Sequence, residues 1–171
     1  MAKQKEFESN GQKYIFQRPP LSYVGKMTDD SKDQNGRLIP EKYYRKIMEN
    51  VIVSPNVDFS FFDEIEQNKE KTFKPYDTEY TFVYPGAKKI AEMEYDMQDG
   101  RGAPSELKTH EQLMKHIIRV DGEEVSFDFF EESDEVGEFF EVIDEAAKFF
   151  KDNEFKEVVG EAVAFFRGKK K

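Results

Sequence analysis

The two histidines and the lack of cysteine limit the chemistry that this chain can perform. His110 and His116 are six residues apart, so on one helix their side chains point about 120° away from each other. Two metal ligands on a helix need a spacing of three or four residues, and the 171-residue chain has no cysteine to complete a ligand set. We therefore predict no metal and no cofactor, and we interpret both histidines as surface residues.

Motifs for nucleophilic and phosphate chemistry are also missing. The ten glycines are scattered, and the chain contains neither Gly-x-Ser-x-Gly nor Gly-Lys-Ser/Thr. The acidic segment 29–42 resembles a calcium loop, but alignment on Gly36 puts Lys42 where that loop needs a bidentate glutamate. The many carboxylates follow acidic helix faces and do not indicate acid–base chemistry. We predict that the protein is not an enzyme.

Charge is unevenly distributed along the chain, whose net charge is −10. Residues 123–161 contain 15 acidic and 3 basic side chains, and such a surface repels phosphate backbones, so we predict no nucleic-acid binding. No apolar run approaches the roughly 20 residues of a membrane span, and the first residues form no apolar signal region. The sequence therefore predicts a soluble intracellular protein without a membrane partner.

An internal repeat appears when the chain is aligned with itself at an offset of 66 residues. Positions 5–52 then contain 12 identities, and a two-residue insertion near Asp121-Gly122 changes the offset to 68. The residues shared by the two copies are of types that build structure, such as aromatic residues and glycine. They include Tyr14 with Tyr80, Phe16 with Phe82, and Gly36 with Gly102. We therefore predict two copies of one fold unit.

Each copy has the pattern of a β-hairpin followed by two helices. The hairpin of the first copy turns at Asn10-Gly11, and the second helix of each copy begins near Pro40 or Pro104. We expect an extended aromatic stretch to close each copy, at 57–62 and at 125–130. Apolar stripes predict the buried helix positions, among them Leu21, Val24 and Met27 in the first copy and Leu107, Leu113 and Met114 in the second.

The C-terminal segment has a helical pattern alone. Apolar residues recur with helical spacing from Val136 to Phe150 and from Phe155 to Phe166, with Asp152-Asn153 as the break. We therefore predict an α+β fold, predominantly helical, with two hairpin-plus-two-helix units at 1–68 and 69–131 and an acidic helical extension at 132–171. Two Phe-rich helices can also bind a partner, and the candidate partner-binding residues are Phe139, Phe140, Ile143, Phe150, Phe155, Phe165 and Phe166.

The sequence resembles the tail assembly chaperones of long-tailed bacteriophages that infect Gram-positive bacteria. The resemblance lies in Tyr14-Ile-Phe16-Gln-Arg-Pro19, in Met27-Thr-Asp-Asp-Ser-Lys-Asp, in the segment 43–55 and in the closing pattern of 155–168. It implies a non-enzymatic protein that coats the tape measure protein, keeps it soluble in the host cytoplasm, helps recruit tail-tube subunits and is absent from the virion. The family often makes a longer frameshifted product, and the lysines at 169–171 are the expected slip site.

Two other functions remain open at the level of sequence, as does a homo-oligomeric state. A structural protein of the phage neck or tail would be found in purified virions. An acidic DNA-mimic inhibitor of a host enzyme would use the excess of carboxylates in 123–161, although these have helical spacing rather than the spacing of phosphates.

Overall fold

The computed structural model describes residues 3–168, and it is an α+β protein in which helices cover 49% of the chain and strands 19%. The predicted fold class is therefore confirmed. The first unit consists of β1 (Gln4–Ser9), β2 (Gln12–Gln17), α1 (Leu21–Asp29), α2 (Pro40–Asn50), β3 (Ile52–Ser54) and α3 (Phe59–Ile65). The second consists of β4 (Glu70–Phe73), β5 (Tyr80–Val83), α4 (Ala87–Asp96), α5 (Glu106–His116), β6 (Ile118–Val120), β7 (Glu123–Glu124) and α6 (Phe127–Glu131). Two C-terminal helices follow the second unit, α7 (Glu138–Lys151) and α8 (Glu154–Arg167).

Each unit contains its own antiparallel sheet. The strand orders are β1-β2-β3 and β4-β5-β6-β7, and equivalent residues are paired, Phe7 with Tyr14 in the first sheet and Phe73 with Tyr80 in the second. The predicted Asn10-Gly11 turn is present, with φ values of 49° and 81°, which is the positive-φ geometry of a tight hairpin turn. The insertion at Asp121-Gly122 forms the same kind of turn between β6 and β7.

The aromatic stretches at 57–62 and 125–130 were predicted to be extended, and this was wrong. Each contains a short helix, α3 or α6. The side chain of Asp58 caps α3 by accepting a hydrogen bond from the Phe61 N–H at 2.8 Å, and Phe59 and Phe62 then lie on one buried face. Alternating aromatics satisfy a strand pattern and an i, i+3 helix pattern equally, and the cap selects the helix here.

Three predicted helix positions also differ from the structure. Leu21 and Leu107 were expected in buried stripes, but they are 74% and 58% exposed. The first C-terminal helix was expected from Val136, but it begins at Glu138 and leaves Val136 95% exposed. All three residues precede or begin a helix, where a residue with helical spacing need not face the core.

The two C-terminal helices are copies of each other, and each covers one of the units. α7 packs on β4, β5 and α5, whereas α8 packs on β1, β2, α2 and α3. At an offset of 16 residues the two 14-residue helices share eight identities, among them Glu138 with Glu154 and Phe150 with Phe166. The segment after 131 therefore completes the cores of both units. Within residues 3–168, no helix combines the length and apolarity that crossing a membrane requires.

Candidate partner-binding surface

The structure places most of the candidate partner-binding residues inside the protein. Ile143, Phe150, Phe155 and Phe166 are buried, with exposed fractions of 8% or less, and Phe139 and Phe165 are partly buried against the same core. Phe140 is 57% exposed. Of the seven residues, Phe140 is therefore the one whose side chain is largely available to a partner in this conformation.

The buried phenylalanines close the interior of each unit through aromatic contacts. Phe155 contacts Tyr44 edge to face, with ring centroids 5.4 Å apart, and it packs against Phe62 at 5.5 Å. Phe139 makes the equivalent contact with His110 at 5.2 Å. Edge-to-face pairs of this kind add to the free energy gained from burial alone. Both helices are therefore anchored through the face that sequence analysis assigned to a partner.

A buried carboxylate fixes the start of α8 on the first hairpin. Glu154 is 5% exposed, and its carboxylate accepts hydrogen bonds from Ser9 at 2.9 Å, Asn10 at 2.7 Å and Tyr14 at 3.1 Å. Burial raises the pKa of the Tyr14 hydroxyl, and the Glu154 carboxylate raises it further, so the hydroxyl remains a donor. These contacts give the buried charge the partners that it requires. The cluster therefore has a structural explanation.

Glu138 has the equivalent position at the start of α7. It is 5% exposed, accepts a hydrogen bond from the Tyr80 hydroxyl at 2.9 Å, and accepts a second one from Ser133. Burial and the Glu138 carboxylate raise the pKa of Tyr80. The glutamates of both helices were expected on solvent-facing surfaces. The offset of 16 between α7 and α8 is the signal that could have identified this buried pair.

An apolar groove lies where the first unit, the second unit and α7 meet. Its volume is about 440 Å³, and its walls include Leu38 and Tyr44 from the first unit, Met97 and Leu113 from the second, and Phe150 from α7. A second hollow of about 280 Å³, lined by Val159 and Val163 of α8, shares Leu38 and Tyr44 with the first. We call these two adjacent hollows the junction groove.

Charged groups lie at the edges of the junction groove. The Lys156 ammonium pairs with the Glu94 carboxylate, which also accepts a hydrogen bond from the Tyr44 hydroxyl. Burial and the nearby Glu94 raise the pKa of Tyr44, so this hydroxyl also stays protonated. Lys151 lines the first hollow as well. The groove therefore combines an apolar wall with a polar edge, which is the usual composition of a binding cleft.

No cluster of three or more His, Cys, Asp or Glu side chains that could hold a metal ion occurs among residues 3–168. Burial lowers the pKa of His116, while His110 packs against Phe139. Both histidines are thus partly buried, in contrast to the surface positions expected from the sequence.

Comparison of the chain with protein-family models, with curated proteins and with solved structures gives no match. The geometry of the junction groove and the resemblance described above are therefore the two observations from which a function can be inferred.

Proposed function

We propose that this protein is a non-enzymatic phage tail assembly chaperone that holds apolar helical segments of the tape measure protein and keeps them soluble. The observation that carries the proposal is the junction groove, an apolar cleft on a chain whose net charge is −10. An amphipathic helix that lays its apolar face into a groove is a common mode of recognition. The resemblance to tail assembly chaperones supplies the identity of the partner.

The acidic outer faces of α7 and α8 support the same proposal. Both helices bury their apolar faces against the two units and expose carboxylates such as Glu141 and Glu157. A high net charge of one sign keeps a loaded complex soluble and disfavours self-aggregation. In this proposal the protein acts in the host cytoplasm and is absent from the virion. Recruitment of tail-tube subunits, through a frameshifted longer form, belongs to the same proposal, and its slip site at 169–171 lies outside the described residues.

Co-expression with a tape measure protein from the same phage genome tests the proposal. We expect the tape measure protein to be soluble and to co-purify with the wild-type chain. The variant Met97→Glu/Ala147→Glu places two charges in the groove at partly buried positions, and it should reduce co-purification several-fold. Circular dichroism and thermal melting establish that the variant is folded.

The matched control is Val136→Glu, because Val136 is 95% exposed and does not line the groove. This variant should co-purify as the wild type does. An insoluble tape measure protein beside a soluble wild-type chain would contradict the proposal. Unchanged binding by the folded groove variant would also contradict it, and recovery of the chain from purified virions would favour a structural tail protein instead.

A further inference from the structure

The two units contact each other through different surfaces. Helix α4 of the second unit packs on α2 and α3 of the first unit. A two-fold arrangement would also pack α1, the counterpart of α4, on α5 and α6, but no contact of comparable extent joins these helices within residues 3–168. The units are therefore stacked head to tail. This stacking leaves the α1 surface (Arg18 and α1) unused at one end and the α5/α6 surface (α5, α6 and Phe140) unused at the other.

The apolar face of α4 is buried, whereas the equivalent face of α1 is open. Ala87 and Ala91 on α4 are fully buried, and Ile90 is 1% exposed. Their counterparts on α1 are Leu21, which is 74% exposed, Gly25, which is exposed, and Val24, which is half-buried. The α1 surface is therefore the same docking face without its partner.

The α5/α6 surface carries exposed apolar residues where the first unit uses charged ones. Glu41 of α2 and Ala91 of α4 line the same small hollow at the contact between the units, and the counterpart of Glu41 is Leu107, which is 58% exposed. Lys156 of α8 reaches Glu94 of α4, and the counterpart of Lys156 is Phe140, which is 57% exposed. Six large apolar side chains are exposed among the described residues, and Leu21, Leu107 and Phe140 are three of them.

Polar groups at the two ends are complementary as well. Within the chain, Asp63 of α3 accepts hydrogen bonds from the Tyr84 hydroxyl and from the Ala87 N–H at the start of α4, both at 2.8 Å. The counterpart of Asp63 is the exposed Glu131 of α6. The counterpart of Tyr84 is Arg18, and no side chain among residues 3–168 caps the start of α1. Glu131 of one copy can therefore pair with Arg18 and with the first N–H groups of α1 in another copy.

We propose that a second copy of this chain docks its α1 surface on the α5/α6 surface, in the geometry by which α4 already packs on α2 and α3. The interface is heterologous, because each copy contributes a different surface, so each bound copy leaves one surface free at either end. Such an interface generates rings or open filaments rather than closed dimers. This self-association does not depend on the identity of any other partner.

Two variants test the proposal, one at each surface. Leu21→Glu disables the α1 surface, and Leu107→Glu disables the α5/α6 surface. Because both side chains are more than half exposed in the monomer, neither variant should unfold the chain, and circular dichroism with thermal melting verifies this. We expect the sedimentation coefficient of the wild type to rise with protein concentration in sedimentation velocity experiments up to about 1 mM, where even weak contacts populate complexes. Each variant alone should remain a monomer.

Mixing the two variants distinguishes a heterologous interface from a symmetric one. Leu107→Glu retains a working α1 surface, and Leu21→Glu retains a working α5/α6 surface, so an equimolar mixture should form a dimer with one copy of each and nothing larger. Val53→Glu changes a valine of β3 that is 44% exposed and belongs to neither surface, so this variant should associate as the wild type does. A monomeric wild type, association of either variant alone, absence of the mixed dimer, or loss of association in Val53→Glu would each overturn the proposal.

Discussion

The two units have nearly the same interior but different surroundings. Phe16 and Phe165 have ring centroids 6.1 Å apart, and the equivalent pair, Phe82 and Phe149, is separated by 6.0 Å. Each unit thus receives one C-terminal helix through the same aromatic contacts. The surroundings differ because α4 is covered by the first unit, whereas within residues 3–168 no element covers α1 to a comparable extent. Neighbouring elements therefore decide whether an equivalent helix face belongs to the core.

The largest expected difference between the units concerns the phenylalanine at the second position of each C-terminal helix. Phe155 is fully buried among Tyr44 and Phe62, whereas Phe139 is only partly buried. Removal of a buried Phe costs its burial and leaves a cavity, so Phe155→Ala should lower the free energy of unfolding by about 3–5 kcal/mol. Phe139→Ala should cost clearly less, because water can fill part of the space.

Urea denaturation of the two alanine variants, with the wild type as reference, measures both free energies. Equal losses would show that the two units tolerate the deletion alike and would contradict the comparison. Phe140→Ala is the matched control, because its side chain is more than half exposed and its loss should change stability little.

The next largest difference concerns the buried glutamates. Glu154 accepts hydrogen bonds from three side chains, and Glu138 accepts them from two. Glu154→Gln places an amide N–H₂ group among these donors, so we expect a loss of about 1–3 kcal/mol in unfolding free energy. Glu138→Gln should cost less. Urea titration measures both losses, and the control Glu157→Gln, at an exposed position, should leave the free energy of unfolding almost unchanged. A larger loss for Glu138→Gln than for Glu154→Gln would contradict the expected order.

Much of the fold could be predicted from the sequence because the internal repeat shows the pattern of each element in two copies. The offset of 66 placed both hairpins and both helix pairs, since Tyr14 with Tyr80 and Phe16 with Phe82 are preserved where each sheet faces its core. The same approach could also have identified α7 and α8 as copies. The short helices α3 and α6 were missed because their aromatic spacing fits a strand as well. The Asp58 cap resolves that ambiguity for α3, but α6 begins at Phe127 with no side-chain cap among the described residues.

The candidate site could be predicted much less well. Helical spacing marks Phe150, Phe155 and Phe166 as apolar-face residues, but it cannot tell whether the face packs on the chain itself or on a partner. The junction groove is built from Leu38, Met97 and other residues of three separate segments. No local pattern joins such segments, because their proximity depends on how the units stack.

The smallest expected difference lies between the equivalent loops that hold Asp33 and Asp99. Each aspartate accepts backbone N–H groups of its own loop, but Asp33 also accepts hydrogen bonds from Tyr95 and from Arg37, which extends to the second unit. The Tyr95 hydroxyl, followed by the N–H groups of Arg37, holds the pKa of Asp33 well below its usual range. Backbone N–H groups lower the pKa of Asp99.

These two loops should differ in how stability depends on acid. A carboxyl whose pKa is lowered in the folded state stabilises the protein at pH values above the ordinary pKa of that carboxyl, 3.8. This stabilisation is lost as the pH falls below 3.8. Asp33→Asn should therefore flatten the decline of the unfolding free energy between pH 5 and pH 3 (about the range in which the carboxyl protonates in the unfolded chain) more than Asp99→Asn does. Asp30→Asn, at an exposed position of the first loop, is the matched control for removal of one carboxylate from that loop. If Asp33→Asn follows the wild-type curve instead, the link from Arg37 to the second unit makes no measurable contribution, and the two loops are equivalent in energy as well as in shape.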